Sequence, residues 1–206
     1  MIVWYLIKLP ALSAWIAILE ADSVHVGQWM LSRPILVGPI AGLLCGDWAA
    51  GLALGALIEL LTLESPVGAA MPLGACVAAA CAAILAAGPH GLPPAAALPA
   101  GLLCGAGHRA IESRVRQWRA GLGRKALAAL EADSAVEWEW SLLVGLGAHV
   151  LATAAWVYVA MALGGPAASI LWSAGPEFLR AGLRVGYEAS VFVGLGALAF
   201  ALGRKG

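Results

Sequence analysis

Charge is what this sequence has least of. Only 12% of its 206 residues are Asp, Glu, Lys or Arg, about half the share usual in a soluble domain. Length allows one domain of several helices and leaves no room for a sizeable soluble module beside it. Twelve basic residues balance twelve acidic ones, so net charge argues for no particular partner. A nucleic-acid footprint is absent as well, because the basic side chains gather in one short segment rather than over a folded basic domain.

Catalytic constellations are missing too. His25, His90, His108 and His149 form no HExxH and no other paired-ligand spacing, and neither a nucleophile elbow nor a Walker loop occurs. Hydrolase and ATPase chemistry are therefore not expected, and no cofactor or metal is implied. His149, set in an apolar span, is expected to be a hydrogen-bonded core residue. Cys45, Cys76, Cys81 and Cys104 lie inside apolar runs without a CxxC pair, the pattern of small packing residues rather than of disulfides or metal ligands. The start, MIVWYLIKLPALSAW, lacks a basic n-region and a small-residue cleavage site, so it reads as a retained membrane segment.

What is there is apolar. Hydrophobic residues make up 62% of the chain, mean hydropathy is +0.88, and runs of membrane-spanning length recur. This pattern predicts an all-α polytopic membrane protein, a single membrane domain over 1–206, with about five to seven membrane segments, some broken or re-entrant, and a surface amphipathic helix. Residues 2–19 form a first segment, short or kinked at Pro10, followed by a polar patch of Glu20, Asp22, His25, Gln28 and Arg33. Residues 66–88 and 92–107 are two further segments divided by the turn chemistry of GPHGLPP, the second short enough for a partial span. In 108–139, Ile111, Val115, Trp118 and Leu122 recur at the spacing of one helix face. That stretch is expected to lie on the membrane surface. A span over 140–163, an external or re-entrant segment over 166–184 and a last span over 185–202 complete the chain.

The stretch GPIAGLLCGDWAAGLALGALIEL is the informative one. The apolar run 35–63 around it would measure about 43 Å as a straight helix, against about 30 Å of hydrocarbon. Such a run must tilt strongly or break, and the place for a break is Gly46 and Asp47, both poor helix formers. Gly38, Gly42 and Gly46, then Gly51 and Gly55, repeat at four-residue spacing, which permits close helix packing. Asp47, Gly51, Gly55 and Glu59 stand four residues apart and, in a helix, share one row: carboxyl, gap, gap, carboxyl. A charge at mid-bilayer costs at least about 2.5–3.5 kcal/mol. Glu59 must therefore have buried partners or face a polar cavity, and the glycine gaps admit a ligand or another backbone. Asp47, beside the break, fits helix capping equally well.

The sequence GQWMLSRPILVGPIAGLLCGDWAAGLALGALIELL, with Gln28, Arg33, Pro34, Gly38, Pro39, Gly42, Gly46, Asp47, Gly51, Gly55 and Glu59, resembles the N-terminal signature of the mannose-type enzyme IIC subunits of the sugar phosphotransferase system. PVGAAMP at 66–72 is similar to that family's next Gly-rich motif. The resemblance implies a permease subunit, not an enzyme, in the bacterial inner membrane. It implies a sister IID membrane subunit, cytoplasmic IIA and IIB phosphocarriers, an oligomer in the lipid bilayer, and a sugar facing Gln28 and Glu59. Asp47 and Arg33 join these two as candidate substrate-binding residues. One departure is that the family's Pro–Pro–Asp is here Pro72, Leu73 and Gly74. A non-transporting scaffold or sensor for phosphotransferase proteins is the alternative. A third class is an unrelated small transporter sharing only Gly-rich spans.

Arg109, Arg114, Arg116, Arg119, Arg124 and Lys125 cluster next to membrane segments, which places 108–139, and with it the C-terminus, in the cytoplasm. Single cysteines introduced at Arg116 or Arg124 in a cysteine-free background are therefore expected to escape an impermeant thiol reagent in intact cells and to react after lysis. Rapid labelling from outside reverses the orientation.

Overall fold

The computed structural model describes residues 1–22, 29–62, 74–132 and 138–203. Gln28, His25 and the 66–72 motif lie outside the described residues. Those described form seven α-helices and no strand: α1 Leu9–Asp22, entered through a π-helical turn over Trp4–Lys8, α2 Pro34–Cys45, α3 Trp48–Leu61, α4 Ala75–Ala87, α5 Pro94–Glu131, α6 Trp138–Ala174 and α7 Glu177–Gly203. Trp4–Asp22, Trp138–Ala174 and Glu177–Gly203 are long and apolar enough to cross a membrane. The chain is an all-α polytopic membrane protein.

The long apolar run does break where its chemistry is weakest. Gly46 adopts φ +111°, and its N–H returns to the Gly42 carbonyl at 2.8 Å. Asp47 then restarts the chain as the N-cap of α3. Two helices of 12 and 14 residues result, about 18 and 21 Å long. Neither spans the hydrocarbon alone; they fold back on each other as an antiparallel hairpin.

α4 sits in the middle. Its sequence, ACVAAACAAILAA, is small on every side, and Ala75 through Leu85 are all buried. Such a helix has no face to give to solvent or lipid. It packs against α2, α3 and α5, and more lightly against α1 and α6. α5 reaches it through Gly101 and Gly105, where an added Cβ would lie 2.6 Å from Ala82 Cβ and 2.7 Å from Ala78 Cβ respectively. α1 lies along α6, while α7 leans on α3 and α5.

Three boundaries correct the sequence expectation. The polar patch after residue 19 is partly helical: Glu20 and Asp22 complete α1 and are buried. Residues 92–107 and 108–131 are not a partial span followed by a separate surface helix but one helix of 38 residues. Its buried seam runs through Gly101, Gly105, His108, Glu112 and Ala126, while Trp118 stands 48% exposed. The seam is rotated from the apolar face because α6 offers polar partners there. Glu112 accepts from His149 Nδ1 at 2.7 Å and from Arg119 Nη2 at 2.9 Å, and His108 Nε2 lies 3.0 Å from Thr153 Oγ1. Satisfying these groups outweighs burying an indole that hydrocarbon also accommodates. Finally, 166–184 is not a separate segment. α6 carries through Pro166 to Ala174, and α7 begins at Glu177 after Gly175 and Pro176.

Packing of this kind is sensitive to single atoms. Gly55→Leu or Gly101→Leu is expected to reduce folded protein, since overpacking costs about 1–3 kcal/mol or more, whereas Gly147→Ala and Gly196→Ala, which meet open space, should not. Size-exclusion profiles in detergent check this; normal profiles for both leucine variants remove the packing argument. Glu112→Ala leaves Arg119 and His149 without their carboxylate and should destabilise by about 3–5 kcal/mol. Glu177→Ala breaks only the exposed pair with Arg180 and should stay within about 1 kcal/mol. Thermal unfolding that shifts equally in the two variants contradicts the assigned role of Glu112.

Candidate functional site

The row Asp47, Gly51, Gly55 and Glu59 faces α2. A Cβ at Gly38 would come within 2.8 Å of Gly55 Cα, and one at Gly42 within 2.9 Å of Gly51 Cα. The gaps are thus occupied by backbone, and no ligand-sized space separates the two helices along this row. Gly46 has another place: its Cβ position meets nothing, and its left-handed φ makes the turn.

The two carboxyls end up at opposite ends of α3, about 18 Å apart along the helix. Asp47 is exposed, and its Oδ1 accepts the Ala50 N–H at 3.0 Å, an N-cap that satisfies one orphan donor of the first turn. Glu59 is buried. Its Oε2 accepts the Ile35 N–H at 2.9 Å, and its Oε1 accepts from Arg33 Nη1 at 3.2 Å. Arg33 occupies the N-cap position of α2 but makes no side-chain cap, and Pro34 has no N–H to offer. Glu59 therefore caps α2 from the neighbouring helix. It gains a backbone donor, a guanidinium and the positive end of a helix at once. These interactions account for a carboxylate in so apolar a run.

Of the four candidate substrate residues, the structure brings Arg33 and Glu59 together and sets Asp47 apart; Gln28 lies outside the described residues. The Arg33 side chain remains 37% exposed and the Glu59 side chain 11%, so the pair is covered on the protein side and open through arginine. A paired guanidinium and carboxylate of this kind can exchange hydrogen bonds with hydroxyl groups. No group of three or more metal-ligating side chains occurs among the described residues.

Sequence reasoning passed over several residues. Asp22 is 5% exposed and accepts the N–H groups of Trp29 and Leu31 at 2.9 Å each. Glu20 lies 3.9 Å from His108 Nδ1 between α1 and α5. Glu112 joins α5 to α6 through His149, which is the hydrogen-bonded core histidine its setting suggested. The available signal was the pair His108 and Glu112, four apart in a stretch otherwise read as surface, and two acids closing an apolar helix.

The sequence profile of the family described as the PTS system sorbose-specific IIC component matches residues 4–206. No curated protein sequence matches the chain. A solved structure titled "Structure of membrane protein" superimposes with a TM-score of 0.73 at 21% identity, covering 95% of this chain and 80% of that one; a likeness at that identity speaks for the fold alone. With the family profile matching nearly the whole chain and the bundle polytopic, the chain belongs to the sorbose-specific IIC family of mannose-type phosphotransferase permease components.

Proposed function

We propose that this chain is the sugar-translocating subunit of a mannose-type phosphotransferase system in a bacterial inner membrane. In this reading it works with a IID membrane subunit in an oligomer, while cytoplasmic IIA and IIB proteins carry the phosphoryl group and IIB transfers it to the sugar. Residues 108–139 and the C-terminus then face the cytoplasm, where IIB reaches the translocated sugar. Family membership supports the permease role. The pair of Arg33 and Glu59 carries the residue-level assignment: a buried carboxylate, held by one backbone donor and one exchangeable guanidinium, is suited to a hydroxyl-rich ligand. Sugar hydroxyls would compete with Arg33 for Glu59 and take up its donors in turn, and Gln28 would add an amide from the preceding segment.

The scaffold reading keeps one observation in its favour, because both oxygens of Glu59 already have protein partners. The two readings separate at Glu59. Glu59→Gln keeps an acceptor for the Ile35 N–H but loses the charge; Glu59→Ala loses both. For a sugar ligand, Gln should weaken binding about tenfold and Ala further, since charge-assisted bonds are the stronger ones. The measurement is sorbose and mannose binding to the purified complex, normalised to folded protein. Unchanged binding in well-folded Glu59→Ala removes the residue from the site. A loss of folded protein with binding per molecule intact makes Glu59 a structural cap and favours the scaffold.

A further inference from the structure

The turn that carries Arg33 is bracketed by two buried carboxylates from different helices. At its far end, Glu59 of α3 holds Ile35 and Arg33. At its near end, Asp22 of α1 accepts the Trp29 N–H on Oδ1 and the Leu31 N–H on Oδ2, each at 2.9 Å. Between those two amides stands Met30 at φ +65°, the left-handed region that side-chain-bearing residues rarely enter. Such a conformation persists where its surroundings over-determine it. The Arg33 N–H closes the turn on the Met30 carbonyl at 3.2 Å.

Both hydrogen bonds of the Asp22 carboxylate go outside its own helix. Its burial at 5% exposure is offset by the two amides, which belong to the turn. We propose that Asp22 is a positioning residue of the substrate site: by holding the Trp29 and Leu31 amides it fixes the left-handed turn at Met30 that presents Arg33 to Glu59. This rests on the sugar-site reading above. A carboxylate is required because two donors arrive at two oxygens. Asparagine of the same size has a single acceptor oxygen, so its amino group would confront one of the two N–H groups.

The test uses the full-length chain co-purified with its sister subunit, with sorbose and mannose as probes. Asp22→Asn should weaken sugar binding about tenfold at an unfolding temperature near that of the parent. In an Arg33→Gln background the same substitution should add little, because both changes act through one group. Met30→Gly, which takes the left-handed conformation without strain, should restore binding to Asp22→Asn, and it also serves if that variant folds poorly. Full additivity with Arg33→Gln, or no rescue by Met30→Gly, overturns the proposal. Parent-like binding in Asp22→Asn alongside weakened Glu59→Gln sinks the positioning role alone. Parent-like binding in Glu59→Gln removes the sugar-site reading beneath it.

Discussion

The near contact of backbone on backbone between α2 and α3 sets the geometry that the rest of the site depends on. With no side chain at Gly38, Gly42, Gly51 or Gly55, the helices approach until Cα atoms and carbonyls touch. Hydrocarbon gives no hydrophobic drive for such an approach; dispersion between closely fitted surfaces supplies it. The hairpin's register then follows. Gly38 lies opposite Gly55, so Pro34 and Ile35 lie opposite the last turn of α3, and Glu59 reaches the Ile35 N–H. A larger residue at any of the four positions would move the carboxylate away from its donor.

Backbone donors explain where Asp22, Asp47 and Glu59 stand. A membrane interior punishes every unsatisfied N–H, and the breaks in this chain create such groups. Asp47 satisfies one at the start of α3, Glu59 one at the start of α2, and Asp22 two in the turn before it. Glu112 differs, since its partners are side chains, His149 on the facing α6 and Arg119 two turns along its own helix. In the first half Asp22, Asp47 and Glu59 thus manage irregular backbone, whereas in the second half Glu112 joins α5 to α6. A site made from the first kind is already partly occupied by protein, so ligand binding there is an exchange of partners.

α4 links these two halves. Being small all round, it lets the α2–α3 hairpin seat on one side and α5 on the other. The helices it touches include α3 and α5, which carry the buried carboxylates Glu59 and Glu112. Its own sequence holds no charge, and its small side chains let its neighbours pack close.

Local chemistry alone determined the membrane class, the break at Gly46 and Asp47, the spacing of the hairpin glycines and the family signature, because hydropathy, backbone propensity and four-residue spacing act over a few turns. It also marked Arg33 and Glu59 as candidates. Whether they meet was beyond it, since they are 26 residues apart and their pairing waits on the hairpin register. The same limit applies to α5. Residues 108–131 carry a pattern of charge that suits a surface helix, and only the arrival of His149 and Thr153 on α6 turns His108 and Glu112 inward. Asp22 looked like the polar end of a span. Its meaning lies in two amides seven and nine residues further on, on either side of a left-handed Met30 that no propensity favours, because a buried carboxylate gains more from two donors than the backbone loses at one residue.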